Sequence, residues 1–400
     1  FGQNAVIDTA GFMASTLNIT DNDFLTGQFN FSDLDNASEI LNQGFIHSSD
    51  DGDVILIAPT VKNEGTIQTD GGDITIAAGQ SVTLSNLSSP HIRFEVQASD
   101  NKAINLGNIM TRGGSAAIFA GSIQNSGSIN ANTISTDADG NIVLSATNDV
   151  RTSGQISNQS VSGKGGDIQI LGEHITVADN ALVSANGLTG GGNILIGGDQ
   201  QGQNPEIYNA ISTTIEAGAL VEADALKIGD GGTVIVFAEN DVHVQGRVTA
   251  KGGSELGNGG FIETSGLKYL DITNAPDASA VNGKAGEWLI DPNNITIQVT
   301  GADTNIIGDP VHVSNNDTAI LTTGTIETAL NAGTSVSVTT TASGTNLETG
   351  DITVNDTITK SAGTDASLTL SAHNDININA DISSTVGQLD LVLIPDSDNP

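Results

Sequence analysis

Apolar and polar side chains alternate along most of this chain, and the alternation restarts after glycine. In Gly165-Gly166-Asp167-Ile168-Gln169-Ile170 a tight turn is followed by apolar residues at every second position. The phrase returns as Gly52-Asp53-Val54-Ile55-Leu56-Ile57, Gly71-Gly72-Asp73-Ile74-Thr75-Ile76, Gly140-Asn141-Ile142-Val143-Leu144 and Gly191-Gly192-Asn193-Ile194-Leu195-Ile196. It continues as Gly231-Gly232-Thr233-Val234-Ile235-Val236, Gly259-Gly260-Phe261-Ile262 and Gly350-Asp351-Ile352-Thr353-Val354. A period of two marks a strand with one buried face. Glycine with Asp or Asn supplies the turn before it.

Counted from the glycine before each strand, the steps 140→166, 166→192 and 260→286 are 26 residues, 52→72 is 20 and 232→260 is 28. The steps 72→114 and 192→232, of 42 and 40 residues, fit two coils or one coil with an insertion. A second phrase, Asn-x-Gly-x-Ile, marks the middle of several coils: Asn42-Gln43-Gly44-Phe45-Ile46, Asn63-Glu64-Gly65-Thr66-Ile67 and Asn125-Ser126-Gly127-Ser128-Ile129. Strands at such a period with no helices between them predict a solenoid, here an all-β, right-handed parallel β-helix. Some sixteen coils of about 25 residues, stacked about 4.8 Å apart, would make a rod roughly 75 Å long.

Interruptions divide the chain. Residues 1–130 carry the first coils, 131–297 the regular repeats, 298–335 an irregular insertion and 336–400 further coils. Gly198-Asp199-Gln200-Gln201-Gly202-Gln203-Asn204-Pro205 breaks the rhythm and predicts a protruding loop. Ala275-Pro276-Asp277-Ala278-Ser279-Ala280 reads as another loop. Thr325 to Gly333 predicts a short helix, with Thr325 as N-cap, Glu327 in the first turn and Gly333 at the end. Such a helix would lie across the solenoid as a lid or elbow.

Composition narrows the picture. Hydrophobic residues make up 37% of the chain but aromatics only 3%, so the core is stacked Ile, Val, Leu and Ala. Twelve basic residues stand against 47 acidic ones, a net charge of −35. That balance argues against nucleic acid, whose phosphates need clustered Lys and Arg, and against anionic membranes. It keeps a strand-rich particle soluble. There is no Cys, which excludes disulfides and thiolate metal sites. No apolar run is long enough to span a bilayer. Both ends cut through repeat-like sequence, as in a piece of a longer protein.

Candidate chemistry is sparse. The six His, at 47, 91, 174, 243, 312 and 373, show no metal-ligand spacing. No nucleophile elbow, phosphate-binding loop or zinc motif is present. Asp50-Asp51-Gly52-Asp53 and Asp70-Gly71-Gly72-Asp73 offer oxygen ligands to Ca²⁺ but lack the nonapeptide repetition of Ca²⁺-binding rolls. Solvated turns are the better reading, with weak Ca²⁺ stabilisation at most. Trp288, the single tryptophan, reads as core packing rather than a sugar-stacking platform. No catalytic, cofactor-binding or metal-ligating residue is assigned, and an enzyme is not expected: a polysaccharide-acting site would need clustered carboxylates with basic partners.

Several stretches resemble the secretion domain of filamentous-haemagglutinin-type proteins of two-partner secretion systems. These are Phe1-Gly2, Gly11-Phe12-Met13-Ala14-Ser15-Thr16, Asn22-Asp23-Phe24-Leu25 and Gly79-Gln80-Ser81-Val82-Thr83-Leu84. Gly259-Gly260-Phe261-Ile262-Glu263-Thr264-Ser265-Gly266 and Trp288-Leu289-Ile290-Asp291-Pro292-Asn293-Asn294-Ile295-Thr296-Ile297 are similar to junction motifs of large haemagglutinin-like adhesins. The resemblance implies export through an outer-membrane β-barrel partner of a Gram-negative-type bacterium and folding outside the cell. It implies an adhesive fibre or stalk for attachment, aggregation or biofilm, with an unidentified cell-surface or matrix receptor and possible self-association. The helix and the 198–205 loop are the candidate contact surfaces, on exposure grounds. The alternatives are a structural subunit of an extracellular filament or matrix and, less favoured, an enzyme on the same fold.

Overall fold

The computed structural model describes residues 1–400 apart from 33–36, 85–91, 96–100, 134–139, 293, 300–305, 308–312, 315–317, 341–348 and 398–400. For 92–95, 306–307, 313–314 and 318 it describes the backbone alone. The glycine-led phrases at 52, 72, 140, 166, 192, 232 and 260 each open a strand of the same parallel sheet, which has thirteen strands and is called here the first wall. The phrase at Gly350 instead opens a strand, Ile352–Val354, in a separate four-stranded sheet.

One coil shows the path. The chain runs along the first wall at Val54–Ala58, turns into the second at Thr60–Asn63 and the third at Thr66–Thr69, and returns to the first at Ile74–Ala78. The second and third walls are parallel sheets of nine strands each. Together they form a parallel β-helix. Both long intervals are single coils with insertions: Ile74 pairs with Ala116 and Asn193 with Thr233, with no first-wall strand between. This lowers the count from the expected sixteen coils to thirteen rungs on the first wall, about 58 Å at a spacing of about 4.8 Å.

Inward side chains stack in columns. On the first wall Leu56, Ile76, Ile118, Leu144, Ile170 and Ile196 follow one another in register, and all are buried. Thr264 interrupts this column and accepts a hydrogen bond from the Trp288 indole Nε1 at 2.9 Å. Trp288 is fully buried in the core. At the corner between the second and third walls the asparagines of the Asn-x-Gly-x-Ile phrase form a buried ladder. Asn42 donates to Asn63 at 2.8 Å, Asn63 to Asn105 at 2.9 Å, Asn105 to Asn125 at 2.9 Å and Asn125 to the Thr152 hydroxyl at 3.1 Å. The glycine two residues on faces the coil below so closely that a Cβ on Gly107 would overlap the Gly65 carbonyl oxygen.

Two features lie outside the simple coil. Phe29–Ser32, Ser81–Leu84 and Ile92–Glu95 form an antiparallel sheet. Phe31, Val82 and Leu84, with Leu17, pack on Ile55, Ile57 and Ala77 of the first wall's outer face, so that wall is buried on both sides there. The second feature is the expected helix, α2 (Thr323–Ala332), which follows the short α1 (Asp21–Thr26) near the start of the chain. Its N-cap is Thr322, not Thr325: the Thr322 hydroxyl accepts from the Thr325 backbone N–H at 3.2 Å, and Gly333 ends the helix in the left-handed conformation. The helix is no lid. Ile326, Ala329 and Leu330 point into the solenoid core, and α2 packs beside Ile358–Lys360 of the resumed coils. It stands where the third wall has no strand, because its apolar face does the strand's work of closing the core.

Candidate functional site

The 198–205 segment lies against the first wall. It follows the strand Asn193–Ile196 and ends before the second-wall strand Ser212–Ile215. Asp199 caps its one turn of 3-10 helix, accepting from the Gln200 N–H at 2.7 Å and from the Asn204 amide at 2.8 Å. Gln201 takes a left-handed φ of 53°. Gly198 and Gly202 sit against the buried ring of Phe237, where a Cβ would meet it. The turn thereby reaches two and three rungs along the wall. The Gln201 backbone N–H donates to Glu263 Oε1 at 2.9 Å, and its side-chain amide donates to Asp291 Oδ2 at 2.9 Å. The expected protrusion is therefore a cover, placed by two carboxylates that give the loop something to bind.

Those carboxylates belong to the two junction motifs, which lie on adjacent strands. Glu263 is 0% exposed and Asp291 1%. Burial pushes the Glu263 carboxyl up to about 7, against the hydrogen bond from Gln201 and the nearby Ser265 hydroxyl, with the charges of Asp291 and Asp199 adding to the rise. Burial likewise pushes Asp291 up to about 6, against Gln201 and Thr339.

The acidic turns singled out for Ca²⁺ have other partners. Asp53 Oδ1 accepts the Asp73 N–H at 2.9 Å, and Asp73 Oδ1 accepts the Ser115 N–H at 2.7 Å, one rung to the next. Asp70 binds His47 Nε2 at 3.1 Å and Arg112 at 3.2 Å, while His47 Nδ1 meets Asp8 at 2.8 Å. The Asp8 and Asp70 carboxylates raise the His47 pKa, and His47 lowers that of Asp70. Asp50 and Asp51 sit at turn positions with φ of 54° and 58°. No three His, Asp or Glu side chains converge as metal ligands among the described residues. His174 pairs with the Ser212 hydroxyl at 2.8 Å, and the His243 ring lies 5.2 Å from that of Tyr269. The Gly350 backbone sits against His373; His91, His312 and Asn293 lie outside the described residues.

A groove of about 490 Å³ runs along the outer face of the second wall. Lys102, Gln124, Asp149, Arg151 and His174 line it with the hydroxyls of Ser122, Thr176 and Thr214, and Arg151 reaches Glu216 at 3.2 Å. Sequence reasoning missed it. Its polar residues are the outward alternates of five successive rungs, and only the register brings them together.

No family model and no curated protein matches the chain. Among solved structures it is similar to the crystal structure of the HMW1 secretion domain from Haemophilus influenzae. The two superpose with a TM-score of 0.65 and 35% sequence identity over 72% of this chain and 77% of that one. The chain belongs to the two-partner secretion exoproteins of the filamentous haemagglutinin type. The exoprotein is accordingly secreted, and its export partner is an outer-membrane transporter. No helix among the described residues of the exoprotein is long and apolar enough to cross a membrane.

Proposed function

We propose that the exoprotein is a non-catalytic adhesin of a Gram-negative-type bacterium, a β-helical stalk held outside the cell that mediates attachment, aggregation or biofilm formation. The observation that carries this reading is the 35% identity with the HMW1 secretion domain across most of the coil. The non-catalytic part draws on the placement of the acidic groups. Glu263 and Asp291 are sealed from substrate, and the acidic turns bind backbone amides and cations. The second-wall groove is the contact surface we assign for a cell-surface or matrix receptor, because it sets Lys102, Arg151 and His174 beside Asp149 and a row of hydroxyls on a chain of net charge −35.

Purified protein should bind host cells or an abiotic matrix, and Lys102→Glu with Arg151→Glu should reduce that binding while leaving the far-ultraviolet circular dichroism unchanged. Export should require a co-expressed outer-membrane β-barrel partner. Full binding by the groove variant would move the contact surface elsewhere. Absence of any binding or cell clumping, with export intact, would remove the adhesive role.

A further inference from the structure

We propose that the buried oxygens of Glu263 and Asp291, where the 198–205 loop meets the first wall, form a site for a hard divalent cation of the Ca²⁺ class. Each carboxylate gives one oxygen to Gln201; the other oxygen, Glu263 Oε2 or Asp291 Oδ1, is buried with no hydrogen-bond partner. Two hydroxyl oxygens beside them, Ser265 Oγ and Thr339 Oγ1, are also buried and unpartnered, and Ser265 is 0% exposed. Strand register accounts for the cluster. Glu263 and Ser265 are alternate outward residues of one strand, and the pairings Thr264 to Ile290 and Ile290 to Val338 place Asp291 beside Ser265 and Thr339 beside Asp291. The two hydroxyls lie near enough to the carboxyls to lower their pKa values, yet none of the four oxygens closes a hydrogen bond of full geometry.

The donor set selects the ligand. It is all oxygen, with no nitrogen or sulfur, which favours hard cations over zinc or copper. Two carboxylates match a charge of +2, and neither takes part in any ion pair among the described residues. Ca²⁺ accepts about six to eight oxygens in irregular arrangements and completes its shell with water, whereas Mg²⁺ requires near-octahedral order. The rival occupant is the proton. Burial costs an ionised carboxylate heavily unless a counter-charge is present. A proton supplies neutrality only below the raised pKa values, and a cation supplies it above them. Bound there, the ion would tie the loop to three successive rungs.

The test is thermal unfolding of the purified chain at pH 8 in chelator and in millimolar Ca²⁺, with equilibrium dialysis against Ca²⁺ for stoichiometry. Ca²⁺ should raise the wild-type midpoint by several degrees at pH 8 and leave it unmoved at pH 5. Dialysis should show one bound ion that Glu263→Gln and Asp291→Asn each abolish and that the Asp53→Asn/Asp73→Asn double variant retains. A wild type with no bound ion and no Ca²⁺ response overturns the site, as does a response that survives both Glu263→Gln and Asp291→Asn. A wild type that gains stability only from falling pH, alike in chelator and Ca²⁺, assigns the carboxyls to protons and also overturns the site. Should a variant fail to fold, the wild-type dialysis at pH 8 and pH 5 still decides.

Discussion

Asn63 sits in the middle of the corner ladder, donating to Asn105 and accepting from Asn42. An amide donates through its NH2 and accepts through its carbonyl oxygen at once, so the same residue can repeat the bond from rung to rung. Asn63→Leu should strand a buried donor on one side and an acceptor on the other, at about 1–3 kcal/mol for each orphaned group. Faster amide hydrogen exchange confined to the neighbouring rungs would register it. The glycine beside each asparagine has a steric duty instead. Gly107→Ala should force two coils apart and lower the melting midpoint markedly, whereas Gly324→Ala, where an added methyl meets nothing, should be neutral or stabilise α2 by up to about 1 kcal/mol. The Asn-x-Gly-x-Ile phrase was legible as a landmark. That its asparagines bond to one another was not, because a ladder exists only once coils are stacked.

The elements divide by how local their signals are. Strands of the first wall announce themselves by alternation, and α2 by its cap residues. Its start was misplaced because Thr322, Thr323 and Thr325 are all competent caps, and only Thr322 has the extended backbone the cap requires. Thr322→Ala should cost about 1 kcal/mol. Leu330→Ala, deep in the core, should cost about 2–5 kcal/mol, and chemical denaturation would rank the two. The antiparallel side sheet went unread although its imprint is in the sequence. Val54–Ala58 is apolar at every position rather than every second one, the mark of a strand covered on both faces. The 198–205 loop misled for the opposite reason: polar and glycine-rich, it looks like a surface excursion, and its partners Glu263 and Asp291 lie 62 and 90 residues from Gln201.

For the whole molecule, pH is the most direct probe. Glu263 and Asp291 have raised pKa values in the fold, so the folded chain keeps protons that the unfolded chain releases. Their contribution to stability is fully present below the ordinary carboxyl range and is lost as pH rises through about 6 and about 7. His47, raised by Asp8 and Asp70, acts in the same direction across the first rungs, with stability present below 6.5 and lost as pH climbs through its elevated value. In chelator, denaturation midpoints should therefore fall between pH 5 and pH 8, and Glu263→Gln should flatten that slope. An unchanged slope in the variant would show that the carboxyl is not the titrating group.

Only the first wall runs unbroken through all thirteen rungs; the two nine-stranded walls end at Tyr269–Ile272 and Arg247–Thr249, in the coils of the ninth and eighth rungs, where α2 soon takes over one side. Hydrogen bonds between rungs point along the shaft, so tension applied to its two ends loads them end to end, like links. Where three sets of bonds share the pull, each carries a fraction; at the junction the continuous set bears most of it. Under drag the shaft should part there first, with the nearer coils remaining wound as a stiff stub and the released segment paying out as a compliant tether.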